Sequence, residues 1–132
     1  KIKIMCGIFA YNWNKNSIPF LVEGLTNLEY RGYDSAGVFG ITKNGKIFLE
    51  KAIWKVSNLA GKVELNKKNN KNYKSWIAHT RWATHGWVTE LNTHPHYSSN
   101  ERFFIVHNWI IANYSYLKEN LIKSGYKFYS DT

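Results

Sequence analysis

The sequence predicts an α+β domain, a mainly antiparallel sheet with helices packed against it. Three observations lead there. Strand-like and helix-like segments follow one another in the order strand, helix, hairpin, helix, two strands, helix, strand. Asn44-Gly45, set between two apolar runs, is a strong hairpin signal, and hairpins build antiparallel sheets. Three further segments carry apolar residues at helical spacing. The chain has 132 residues, 44% of them hydrophobic and 17% aromatic, enough for one domain with a packed core and too apolar for a disordered chain.

Taken in order, MCGIFAY (5–11) reads as a buried strand. SIPFLVEGLTNLEY (17–30) reads as a helix: Ser17 can cap it, Pro19 suits the first turn, and Leu21, Leu25 and Leu28 share a face. SAGVFGIT (35–42) and KIFLEK (46–51) are the arms of the hairpin. Val56, Leu59 and Val63 predict a short helix. The run NKKNNKNYK (66–74) reads as a solvated loop. SWIAH (75–79) and RFFIVH (102–107) are strands flanking a long polar loop. YSYLKENLIKSG (114–125) is an amphipathic helix stopped by Gly125, and YKFY (126–129) begins another strand.

The net charge of +9 raises nucleic-acid binding, but its make-up argues otherwise. Fifteen of the eighteen basic residues are lysines spread along the chain, and only three are arginines, the residue that reads bases with a bidentate fork. A membrane span needs an apolar run of roughly 18 residues, which this sequence lacks. One cysteine leaves no internal disulfide and fits a reducing compartment. The expectation is a soluble, cytoplasmic protein without membrane or nucleic-acid partners.

Four polar clusters fall at strand ends or in loops, where function concentrates. They are Cys6-Gly7, YRGYDSAG (30–37), HTRWATHG (79–86) followed by NTHPH (92–96), and His107-Asn108. A lone free cysteine is ordinarily a small buried hydrophobe. A thiol, an arginine and an asparagine amide brought together instead point to acyl transfer from an amide. The thiolate attacks, a base takes the proton, N–H donors hold the oxyanion, and the arginine fork takes a substrate carboxylate. The base is one of the five histidines, or the cysteine's own α-amine once the residues ahead of it are removed; that amine has an ordinary pKa near about 8. His79, His94, His96 and His107 read as ordinary hydrogen-bonded histidines. No metal site and no cofactor are expected, since His94 and His96 lack cysteine or carboxylate partners at ligand spacing.

MCGIFAY, LEYRGYDSAG, IAHTRWATHG, NTHPH and HN-II-N, in that order, resemble the signatures of the class II glutamine amidotransferases, which are N-terminal-nucleophile hydrolases. LEYRGYDSAG and HTRWATHG are most similar to the branch of glutamine–fructose-6-phosphate aminotransferases, the glucosamine-6-phosphate synthases. The resemblance runs from Met5 to Thr132. It implies an αββα sandwich with mainly antiparallel sheets, of which residues 6–132 would be the N-terminal part and residues 1–5 an extension. It implies Cys6 as the nucleophile and Asn108 as the oxyanion amide, followed by a backbone N–H that here belongs to Trp109. Arg31 would lie beside the nucleophile and Arg81 would clamp the glutamine carboxylate. Trp82, Thr84 and His85 would belong to a mobile loop and pocket. L-Glutamine would be the substrate. Its ammonia would pass to fructose 6-phosphate on a separate isomerase domain absent from this sequence, in a homo-oligomeric full-length enzyme.

The sequence departs from the family pattern at three places. Lys1 to Met5 precede the nucleophile. Trp109 stands where the family has glycine, and Trp54 falls where it has the glycine of a GKV stretch. Ser130-Asp131-Thr132 match only the first letters of a stretch whose acidic residue would bind the glutamine amine, so Asp131 is not that residue. A bulky side chain at a glycine position risks strain and a displaced N–H, so weak or no glutaminase activity is expected. The rival readings are an impaired copy kept as a structural or binding component, and a basic nucleic-acid module.

Overall fold

A computed structural model describes residues 5–12, 18–66 and 73–132. Along them run β1 (Gly7–Asn12), α1 (Ile18–Leu28), a 3-10 turn (Glu29–Arg31), β2 (Ser35–Thr42), β3 (Ile47–Ile53) and α2 (Val56–Leu65). Then come β4 (Tyr73–Arg81), β5 (His96–Tyr97), β6 (Phe104–Ile105) and α3 (Tyr114–Lys123). Four strands form one sheet in the order β1-β4-β2-β3, every neighbouring pair antiparallel, and β5 pairs with β6 in a second, two-stranded sheet.

Successive strand residues point to opposite faces, and this sorts the molecule. From β4, Trp76 and Ala78 join Ala36 and Val38 of β2, and Phe48 and Ala52 of β3, on a face covered by Leu21, Leu25, Val56, Leu59 and Val63 of the two helices. All of these are under a tenth exposed. A buried leucine such as Leu25 contributes on the order of 2–3 kcal/mol of transfer free energy. Ile77, His79 and Arg81 therefore turn to the other face, toward the 92–108 segment. There Phe39 stacks on Phe104, ring centroids 3.8 Å apart, joining the two sheets.

One close approach needs glycine. Gly37, on that second face, lies so near the backbone of His94 that a Cβ would stand 2.1 Å from the His94 carbonyl oxygen. The 92–96 strap lies directly on β2 for want of a side chain there.

Several expectations change. The strand at 5–11 is not buried throughout: it is a sheet edge, and Ile8 on its second face is 42% exposed. The helix ends at Leu28 and tightens into the 3-10 turn; Ser17 lies outside the described residues. The hairpin forms as read, with Gly45 at φ +78°. Most of the lysine/asparagine run lies outside the described residues, but Tyr73 and Lys74 already belong to β4, where Tyr73 pairs with Thr42. The strand expected over 102–107 shrinks to Phe104–Ile105, and its partner β5 was read as loop. Gly125, at φ +88°, does end the α3 region. Residues 126–129 form no strand; they stay exposed because no neighbour among the described residues offers a ladder to pair with.

Candidate active site

Antiparallel pairing brings the start of β1 beside the end of β4. Gly7 faces Thr80, so Cys6 comes level with Arg81, and Ser35 at the start of β2 also pairs with Arg81. The Trp82 N–H donates to Cys6 Sγ at 3.2 Å, and the thiol is 3.7 Å from the Trp82 carbonyl oxygen. The sulfur is half-buried. Among the described residues no histidine hydrogen-bonds it, which leaves a papain-like pairing without a partner.

Asn108 reaches the same point from the loop after β6. Its Nδ2 donates to the Cys6 carbonyl oxygen at 3.1 Å, and its Oδ1 is 2.9 Å from His79 Nε2. A carbonyl oxygen can only accept, so the amide must turn its NH2 toward Cys6. The amide nitrogen carries a second hydrogen, an additional donor in the neighbourhood of Cys6.

Arg81 is 4% exposed. Its guanidinium holds the following loop: Nη1 donates to the Trp87 carbonyl at 3.1 Å, and Nη2 to the carbonyls of His85 at 2.5 Å and Gly86 at 3.4 Å. Burial lowers its pKa, and the charges of Asp34 and Cys6 oppose that shift. Asp34 in turn accepts the Ala83 N–H at 2.6 Å. The residue expected to clamp a carboxylate is thus seen organising the loop that would cover one.

The other expected site residues lie around this centre. Arg31 ends the 3-10 turn half-buried, next to Gly32, whose Cβ position would stand 2.8 Å from the Arg81 backbone. Trp82 packs edge-to-face on Tyr33, centroids 5.1 Å apart. Thr84 and His85 are exposed on the loop, and the His85 ring meets Tyr114 at 5.6 Å. Trp109 has φ +82° and Trp54 φ +68°, so both tryptophans that replace expected glycines sit in the left-handed region. The Trp109 backbone keeps the glycine-like conformation, and the residue is 69% exposed.

Behind Asn108 lies a row of histidine rings. His79 and His94 are 4.5 Å apart by centroids, and His94 and His96 are 4.3 Å apart. Burial drives His79 down to about 4, against the raising hydrogen bond to Asn108 and with Arg81 lowering it further. Burial takes His94 to about 2, helped by His79 and His96. His96 falls to about 4, by burial and then by Lys51 and Arg81. All three are neutral near pH 7. Among the described residues no group of three or more His, Cys, Asp or Glu is placed to hold a metal ion, and no helix is long and apolar enough to cross a membrane.

Two contributors escaped sequence reasoning. Asn92, 1% exposed, donates from Nδ2 to the Trp87 carbonyl and to the Asp131 carboxylate, each at 3.0 Å, and accepts the Asp131 N–H at 2.8 Å. Its place in the NTHPH segment was the only available signal. Asp34 was visible only as a letter of YRGYDSAG.

No family model matches the chain. Over 128 residues it is 46% identical to the glutamine–fructose-6-phosphate aminotransferase (isomerizing) of Chlamydia muridarum, covering 97% of this chain and 20% of that protein. Against the protein of the same name from Bacteroides thetaiotaomicron the identity is 48%, with the same coverage. The chain thus spans about a fifth of the length of the curated relatives it matches. Among solved structures it is similar to glutamine phosphoribosylpyrophosphate amidotransferase from B. subtilis, complexed with ADP and GMP: TM-score 0.76, 23% identity, 95% of this chain and 26% of that one. A structure described as the allosteric regulatory enzyme of purine biosynthesis matches with TM-score 0.71 and 25% identity, over 96% of this chain and 26% of that one.

Proposed function

The chain belongs to the class II glutamine amidotransferase family, in the glutamine–fructose-6-phosphate aminotransferase branch, and on that premise we propose that Cys6 releases ammonia from L-glutamine. The observation that carries the reading is the meeting of Cys6 and Asn108, 102 residues apart, at 3.1 Å.

In the proposed reaction Cys6 Sγ adds to the side-chain amide carbon, and the carbonyl oxygen becomes an oxyanion facing Asn108 Nδ2 and the Trp109 N–H. The C–N bond then breaks, the nitrogen leaves as ammonia with the proton taken from the thiol, and a γ-glutamyl thioester remains. Water hydrolyses it to glutamate and restores the thiol. The base that moves the proton is the Cys6 α-amine, freed by removal of residues 1–5. Arg81, with Arg31 nearby, supplies positive charge for the glutamine carboxylate. Trp82, Thr84 and His85 form the covering loop.

In the full-length protein the ammonia would go to fructose 6-phosphate on a separate isomerase domain, making glucosamine 6-phosphate for hexosamine synthesis in a cytoplasmic homo-oligomer. Glutamate release from glutamine tests the first step. Cys6→Ala should abolish it and Cys6→Ser should leave at most a trace, because an alkoxide is much harder to form than a thiolate. Glutamate release that survives Cys6→Ala would overturn the assignment.

A second reading has its own support. Trp109 at φ +82° places a strained, bulky residue beside the oxyanion amide. That favours a catalytically impaired copy kept for its structure or binding. Full glutaminase turnover in the unmodified protein would exclude it.

A further inference from the structure

We infer that His79 is a positioning residue for the oxyanion amide: it locks Asn108 into the rotamer that presents Nδ2 to the reacting carbon. The inference rests on the glutaminase reading of Cys6. Asn108 Nδ2 must face the Cys6 carbonyl, which can only accept, so Oδ1 faces His79 Nε2 at 2.9 Å. An amide oxygen cannot donate, so Nε2 must carry the hydrogen and Nδ1 must be bare. The surroundings fit that tautomer: Nδ1 is buried and finds no hydrogen-bond partner among the described residues.

The ring is rigidly held. His79 is 0% exposed, in the middle of the sheet, where it pairs with Ile8 on one side and Gly37 on the other. Its ring packs against that of His94, centroids 4.5 Å apart and planes tilted by 46°. A ring fixed by two neighbouring strands is a better anchor than the half-buried loop that carries Asn108. Accepting a hydrogen at Oδ1 also polarises the amide and strengthens Nδ2–H as a donor. Without that bond the amide is free to rotate and to offer its oxygen, a repulsive partner, to the developing negative charge.

The test uses the full-length protein and two readouts. In steady-state glutamine hydrolysis, His79→Phe should lower kcat by about tenfold to a hundredfold, part of the effect of losing an oxyanion donor. KM should stay within roughly threefold, because glutamine itself is not touched. His79→Gln, which restores an N–H donor, should recover most of the loss. In an Asn108→Ala background the His79→Phe change should cost less than about twofold, since the group it positions is gone. Additive losses, or an unchanged kcat in His79→Phe, would overturn the inference. The second readout is independent of turnover: the ring nitrogens of His79 in 15N NMR should report hydrogen on Nε2, and Asn108→Ala should change that signal. Hydrogen on Nδ1 in the unmodified protein refutes the positioning role even where activity is normal. Hydrogen on Nε2 in a protein that releases no glutamate refutes the glutaminase reading and leaves the contact standing.

Discussion

Asn92 grips Asp131 at both ends of one amide, donating to its carboxylate at 3.0 Å and accepting its backbone N–H at 2.8 Å. The same Nδ2 also reaches the Trp87 carbonyl, which Arg81 holds from the other side. One buried side chain therefore joins the covering loop to the 130–132 segment. Asn92→Ala removes three hydrogen bonds of a buried amide, while the exposed Asp131 regains water, so the expected loss is about 1 kcal/mol. Urea unfolding would measure the loss, and limited proteolysis should find faster cleavage around residues 85–90. An unfolding midpoint equal to that of the unmodified protein would show that the grip contributes nothing.

Arg81→Lys keeps a positive charge and loses the fork that serves three carbonyls. The expected result is a higher KM for glutamine together with a loop more open to protease. Removing one member of a desolvated charged pair is worth about 2–5 kcal/mol. If Arg81→Ala leaves glutamine kinetics unchanged, the carboxylate role is wrong and the loop role alone remains.

Trp109→Gly removes a side chain from a left-handed position where strain is about 1–3 kcal/mol. Glycine gives part of that back as unfolded-state entropy, so a net gain of roughly 1 kcal/mol in stability is expected. Turnover should rise at least about tenfold if relaxing the strain returns the residue 109 N–H to a glycine-like oxyanion donor. Equal turnover with and without the indole would mean that the strain affects stability alone.

Acid should weaken the fold through the histidine row. The folded-state pKa values of His79 and His96 are near 4, below the ordinary 6.5. Between those values the unfolded chain binds protons that the folded protein refuses, so stability is complete above about pH 6.5 and falls as pH drops toward 4. Each ring contributes on the order of 3 kcal/mol across its window. Urea midpoints at pH 7.5 and 5 would show the fall, and His96→Asn should flatten it. A midpoint independent of pH over that range would refute the dry, neutral row.

Much of the fold was legible because it rests on local chemistry. The Asn44-Gly45 turn, the Val56, Leu59, Val63 stripe and the Gly125 stop all reappear where the residues place them. Polar sequence hid β5: His96-Tyr97 lacks strand periodicity and pairs only because Phe104 anchors its partner strand on Phe39. The reverse error at 126–129 has the same origin, since β-favouring side chains form no strand without an edge to join. At the site, motif letters named Cys6, Arg81 and Asn108. The bonds of His79 to Asn108 and of Asn92 to Asp131 span 29 and 39 residues, and only tertiary packing decides such partners.

The pairing of β1 with β4 has a consequence for how the molecule is made. Cys6 meets Trp82 across 76 residues and Asn108 across 102, so the chain must close its longest loops before the thiol has any of these neighbours. Loop closure on that scale is entropically costly and slow compared with forming the β2–β3 hairpin, whose contacts are local. The expected order is hairpin first, then β4 against β2, with β1 zipping onto the free edge of β4 last. A growing chain that has not yet reached Asn108 lacks the amide that meets the Cys6 carbonyl. The surroundings of this thiol are therefore assembled last, and in hydrogen exchange the N–H groups of Trp82 and Gly7 should gain protection together, after the hairpin.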